Sequence, residues 1–98
     1  MKINKNKNGT KLTFEIAGRV DTSTAPQLES AIKEEISGVK ELVFDMDKVE
    51  YISSAGLRVL LSSQKTMNNQ GTMKLININN EIMEIFEVTG FTDILTIE

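Results

Sequence analysis

The stretch Tyr51-Ile52-Ser53-Ser54-Ala55-Gly56-Leu57-Arg58-Val59-Leu60-Leu61 holds the residues best suited to chemistry. An apolar approach runs into two serines and a small pair, then into an amphipathic helical pattern. That spacing puts Ser54 at the mouth of the helix, where backbone N–H groups have no intrahelical partner. A hydroxyl there caps the helix. It can also carry a phosphate, because a helix N-terminus favours an anion. Capping by a serine is worth ~1 kcal/mol, so a capping role is expected of Ser53 and Ser54 whatever else they do. A phosphoserine brings about −1.5 to −2 charges, which the helix dipole accepts at that end. Modification would change the charge and bulk of a surface and leave the fold in place, which is what a binding switch requires.

Other chemistries are poorly served. A nucleophilic Ser54 needs a base within hydrogen-bond reach and donors for an oxyanion. The chain has no histidine and no cysteine, so the commonest general base and metal ligand are missing, as is thiol chemistry. The residue three after Ser54 is Leu57. A Ser-x-x-Lys spacing occurs at Ser62 and Lys65, but in mid-helix, where it reads as a solvated face. Asp45 and Asp47, at the end of an apolar strand pattern, form the rival site. Open α/β sheets bind ligands at carboxyl strand ends, so a small magnesium-dependent phosphatase or receiver built on Asp45 is the enzyme reading. Magnesium wants further oxygen ligands, and the end of the first long strand supplies mainly Asp21, so turn-forming or solvated roles are expected. No catalytic residue, metal or cofactor is assigned. Arg58, one turn into the helix, is solvated by itself but suits a phosphate or an acidic partner.

Composition bounds the rest. Ninety-eight residues are expected to make one domain spanning 1–98, since two cores would each be too small. Hydrophobic residues are 40% and charged residues 26%, which argues against disorder. A net charge of −3 gives no basic surface to attract nucleic acid. Apolar runs as short as Leu42-Val43-Phe44 do not insert in a bilayer, and the lysine-bearing N-terminus lacks the apolar region of a signal peptide. A cytoplasmic domain is expected.

The elements that must hold Ser54 follow from periodicity. Lys11 to Gly18 alternates, with Leu12, Phe14 and Ile16 on one face, a half-buried strand. Asn8-Gly9 reads as a hairpin turn that pairs the Lys2–Lys7 segment as an antiparallel edge, and Gly18 to Asp21 leaves the sheet. Thr24 opens a helix with Leu28, Ala31, Ile32 and Ile36 on one face; Thr24 with Gln27 fits a capping box, Pro26 falls in the first turn, and Ser37-Gly38 ends it. Leu42, Val43, Phe44 and Met46 barely alternate, as in a central parallel strand covered on more than one side; Asp45, Asp47 and Lys48 mark its end. The second helix runs from about Ser54 to Asn68, with Leu57, Leu60, Leu61 and Met67 as its stripe and Gly71 near a C′ position. Met73 to Ile78 is a further strand. Asn80 caps a third helix with Ile82, Ile85, Phe86 and Thr89 on one face; Gly90 stops it, and Thr92 caps a last turn. The order predicts an α/β domain with a mixed four- to five-stranded sheet and helices mainly on one face.

Three stretches together resemble the STAS domain family, most closely its free-standing bacterial members, the anti-sigma-factor antagonists. They are Gly18-Arg19-Val20-Asp21 with Thr24-Ala25-Pro26-Gln27-Leu28, then Leu42-Val43-Phe44-Asp45 through Ser53-Ser54-Ala55-Gly56-Leu57, then Phe86-Glu87-Val88-Thr89-Gly90-Phe91 with Ile94 and Leu95 beyond. The resemblance covers essentially the whole chain. It implies a non-enzymatic switch: an anti-sigma factor that is also a serine kinase phosphorylates a loop serine, a serine phosphatase resets it, and only the unphosphorylated antagonist binds the anti-sigma factor. The family motif Asp-Ser-Ser/Thr-Gly-Leu places its acceptor on Ser54, with Ser53 as a competing site where the motif has aspartate. The implied partner-binding residues are Asp21, Thr22, Ser53, Ser54, Ala55, Gly56, Leu57 and Arg58, the last standing where the family has glycine. A STAS subunit of a membrane complex, such as a lipid-transport ATPase docking constitutively through the same face, is the alternative.

Overall fold

The computed structural model describes residues 1–98 as β1 (Lys2–Asn8), β2 (Lys11–Val20), α1 (Ala25–Glu35), β3 (Glu41–Ile52), α2 (Ser54–Asn68), β4 (Thr72–Ile76) and α3 (Asn80–Thr89), with a 3₁₀ turn at Phe91–Asp93. The sheet order is β1-β2-β3-β4. β1 and β2 are antiparallel, whereas β2–β3 and β3–β4 are parallel, so the sheet is mixed as expected. Its four strands are joined at the β4 edge by a single parallel bridge from Leu75 to Ile97.

Alternation decides which face the helices cover. Leu12, Phe14 and Ile16 of β2, Leu42, Phe44 and Met46 of β3, and Met73 and Leu75 of β4 join one buried cluster. Leu28 and Ile32 of α1, Leu57, Leu60 and Met67 of α2, and Ile82 and Phe86 of α3 close over it. Phe14 and Phe44 are register partners whose rings stack at 5.7 Å between centroids. Val43, on the other face of the central strand, is also buried at 3% exposure, which is why β3 shows so little alternation. The opposite face carries polar residues such as Glu15 and Asp47, both exposed.

Several boundaries differ from expectation, each for a local reason. The hairpin loop is Gly9-Thr10, because Asn8 pairs directly with Lys11; Gly9 takes φ +64° at the first loop position, as a II′ turn requires. β2 does not leave the sheet at Gly18, since Arg19 and Val20 pair with Tyr51 and Ile52. β3 does not end at Asp45–Lys48. Register shifts between Glu15 and Ala17, and between Gly18 and Arg19, leave one extra residue on β3 each time, which is how a β-bulge extends a strand through a polar stretch. The Asp45 carboxylate accepts the Asp47 N–H at 3.1 Å within the first of these irregularities.

Helix ends also shift. Thr24 occupies the N-cap of α1 without a side-chain cap bond, so the expected capping box with Gln27 does not form. Asn79, not Asn80, caps α3, its side chain accepting from the Ile82 N–H at 2.8 Å. Thr92 lies inside the last turn, and Gly90, at φ +78°, precedes that turn without a side-chain cap. Gly71 is not a left-handed C′ residue. A Cβ there would stand 2.0 Å from the Lys40 carbonyl oxygen, so glycine is needed for the close approach of two backbones.

Candidate functional site

Val20 and Ile52 are the last paired residues of β2 and β3, and both chains turn toward the helices at that end of the sheet. The ladder gains one more bond there, from the Ser53 N–H to the Val20 carbonyl at 2.8 Å. Ser53 is still extended, at φ −93° and ψ 175°, and is the N-cap of α2. The helix begins at Ser54, with the Leu57 N–H donating to the Ser53 carbonyl at 2.9 Å.

The two serines are unlike each other. The Ser53 hydroxyl makes no cap bond; its Oγ exposes less than 1 Å² and has no hydrogen-bond partner. Ser54, the first helical residue, is exposed. Its hydroxyl stands where the first backbone N–H groups of α2 point outward unpaired.

Gly56 explains how the helix start is pinned to the strand ends. A Cβ at this position would lie 2.7 Å from Ile52 Cγ1 and 2.8 Å from Val20 Cγ1, so only glycine lets α2 rest on the last residues of β2 and β3. Leu57 follows it into the core at 5% exposure. Of the residues implied as partner-binding, Gly56 and Leu57 therefore hold the loop from below and offer no side chain to a partner. Ser54, Thr22 and Arg58 are exposed, with Asp21, Ser53 and Ala55 half-buried.

Asp21 has a local task. Its Oδ1 accepts from the Ser23 hydroxyl at 2.7 Å and from the N–H groups of Ser23 and Thr24 at 3.0 and 3.1 Å. Thr24 Oγ1 accepts the Asp21 N–H at 2.8 Å and donates to the Arg19 carbonyl at 2.9 Å. The Ser23 hydroxyl, then the backbone N–H groups of Thr24 and Ser23, hold the Asp21 carboxyl below its ordinary range. This closed turn aims α1 so that Thr22, Ala25 and Pro26 form one wall of a groove whose other wall is Ala55, Arg58 and Val59, about 290 Å³ in volume.

Sequence reasoning passed over two residues at this end of the sheet. Arg19 and Tyr51 are register partners, with the guanidinium 4.5 Å from the ring centroid, an arrangement that holds both side chains in place. Tyr51 is 38% exposed. The signal was present in the pairing of an arginine two residues before Asp21 with a tyrosine two before Ser53, but it needed the register to be read.

The rival site does not assemble. Asp45 Oδ1 accepts from Asn77 Nδ2 and from the Asp47 N–H, both at 3.1 Å, and no three acidic side chains converge to hold a cation. The Asp45 carboxylate instead ties β3 to the turn after β4. No helix is long and apolar enough to cross a membrane.

Comparison with known proteins gives the family and the fold. A model of the STAS domain family matches residues 2–98. A Bordetella bronchiseptica protein, BtrV, which bears the name of an anti-sigma factor antagonist, is 33% identical, over 99% of this chain and 85% of its own length. The anti-sigma-B factor antagonist of Bacillus subtilis is 30% identical over 92% of this chain and 84% of its own. The crystal structure of an anti-sigma factor antagonist from Mycobacterium paratuberculosis shares the fold with a TM-score of 0.89 at 21% identity, over 98% of this chain and 83% of that one.

Proposed function

The chain belongs to the STAS domain family, and from that premise we propose that it is an anti-sigma factor antagonist whose docking face is switched by phosphate on Ser54. The observation that carries the residue assignment is the contrast between the serines: Ser54 is exposed at the first position of α2, while the Ser53 oxygen is enclosed. A kinase active site must reach the hydroxyl it modifies, so Ser54 is the acceptor and Ser53 is not.

In the unphosphorylated form the exposed start of α2, with Thr22 and the groove beside Arg58, docks on an anti-sigma factor and releases the sigma factor it held. The anti-sigma factor is also the serine kinase. It transfers the terminal phosphoryl group of ATP to Ser54 Oγ, with loss of the hydroxyl proton and release of ADP. The added dianion sits against the N-terminal dipole of α2, so the fold persists and only the docking surface changes. A serine phosphatase resets it by hydrolysis. The chain supplies an acceptor and a surface, not a catalytic group, and it works in the cytoplasm. The alternative of a constitutive transporter subunit is not favoured, because the relatives at 30–33% identity carry the antagonist name.

The test is intact mass after incubation with ATP and the serine kinase encoded in the same genome, for wild type and Ser54→Ala. The expected result is one phosphate on wild type and none on Ser54→Ala. Phosphate on both would assign the acceptor to another residue. No phosphate on either, with co-purification of a membrane complex, would replace the switch by the transporter-subunit reading.

A further inference from the structure

Arg58 is the one cation on the docking face with nothing to do. It is exposed, and it takes part in none of the five ion pairs of the chain. The nearby acids are committed elsewhere: Glu29, across the groove, pairs with Lys33 at 3.0 Å, and Asp21 is held by its own turn and by Arg19. Arg58 also lies four residues after Ser54 on the same helix, the spacing at which side chains meet on one face. At that spacing the two side chains can meet by rotating their own torsions, without a change in the helix backbone.

We propose that Arg58 is a phosphate-gated contact: free in the unphosphorylated protein to engage an acidic side chain of the anti-sigma factor, and captured by the phosphate once Ser54 is modified. This inference rests on the Ser54 switch proposed above. Guanidinium matches both carboxylate and phosphate with paired N–H donors, so one side chain serves the two states with two different anions. Phosphorylation then acts twice on the same surface. It adds negative charge, and it withdraws the cation that had attracted the partner. A partner carboxylate facing Arg58 meets an unsatisfied cation in one state and a phosphate in the other. Discrimination between the states therefore exceeds what bulk and charge at Ser54 alone supply.

The experiment is a four-cornered affinity measurement against the anti-sigma factor, with wild type and Arg58→Gln each in unphosphorylated and Ser54-phosphorylated form. Arg58→Lys is the charge-retaining control. Arg58→Gln should bind about fivefold more weakly when unphosphorylated, the scale of one rim charge, and the ratio of affinities between the two states should shrink by about the same factor. Arg58→Lys should restore most of the unphosphorylated affinity. Arg58 is exposed, so each variant folds, and unchanged circular dichroism and melting of the unphosphorylated forms checks this. If phosphate weakens wild type and Arg58→Gln by the same factor, the inference is overturned while the Ser54 switch stands. If phosphate does not weaken wild type at all, the switch fails and takes the inference with it.

Discussion

Ser53 occupies the N-cap of α2, where a serine ordinarily stabilises a helix, yet its hydroxyl donates to nothing, accepts nothing and exposes less than 1 Å². The usual cost of replacing an N-cap serine by alanine is about 0.5–2 kcal/mol. That cost is the loss of a side-chain bond to an orphan backbone N–H, and here no such bond exists to lose. What alanine removes instead is a buried hydroxyl whose desolvation is uncompensated, a penalty of about 1–3 kcal/mol in the general case. Part of that gain is offset by the small void the oxygen leaves. Ser53→Ala should therefore be neutral or stabilising by up to about 1 kcal/mol, seen as an unchanged or higher urea midpoint with an unchanged slope. Asn79→Ala is the internal comparison, because Asn79 makes the cap bond that Ser53 lacks, at 2.8 Å to the Ile82 N–H, and a second bond at 3.2 Å to the Val49 carbonyl. It should cost about 1–2 kcal/mol. A loss of about 1 kcal/mol or more for Ser53→Ala, equal to that for Asn79→Ala, would refute the reasoning and mean that the Ser53 hydroxyl caps α2 after all.

Gly56→Ala should destabilise by about 1–3 kcal/mol, because its Cβ would press on Ile52 and Val20 at 2.7 and 2.8 Å; chemical denaturation measures it, and partner binding should weaken with it. Gly71→Ala should cost more, about 3 kcal/mol or above, since the obstruction is the Lys40 backbone at 2.0 Å and backbone cannot rotate aside; failure to recover folded protein, or a midpoint below that of Gly56→Ala, is the expected result. Asp21 has a folded-state pKa held down chiefly by the Ser23 hydroxyl, so its contribution is complete above the unfolded value near ~4 and fades as pH falls through the folded one. Asp21→Asn, which keeps an acceptor oxygen, should flatten the fall of melting temperature as pH drops below about 4.

The order of elements, the span of α2 and the exposed serine were all legible in the sequence, because each rests on a local signal. Leu57, Leu60 and Met67 recur with helical spacing, and Ser53-Ser54 stands directly before them. The far half of β3 was not legible. After Met46 the buried residues are Val49 and Ile52, a spacing of three where a flat strand has two. The two register shifts insert a residue each, so a strand was disguised as a loop. The same shifts carry β3 on to Ile52 and bring Tyr51 opposite Arg19, which is why that pair could not be found before the register was known. Gly71 shows the converse limit. Its position suggested a left-handed helix end, but the constraint comes from Lys40, thirty-one residues away in the chain, and no local pattern encodes that contact. Ser54 stood out by its place at the helix mouth, but the enclosure of the Ser53 hydroxyl beside it depends on tertiary packing and has no local signal.

That packing also explains why the proposed switch would not weaken the fold. The residues that fix the start of α2 lie beneath it: Gly56 on Val20 and Ile52, Leu57 in the core, and the Ser53 N–H on the Val20 carbonyl. None of them involves the Ser54 side chain. A group added to Ser54 Oγ disturbs no core contact and meets outward-pointing N–H groups that favour an anion. It follows that the phosphorylated protein should melt no lower than the unphosphorylated one, even as partner affinity falls. A stability loss on phosphorylation would mean that Ser54 shares in holding α2, and the separation between scaffold below and signal above would not hold.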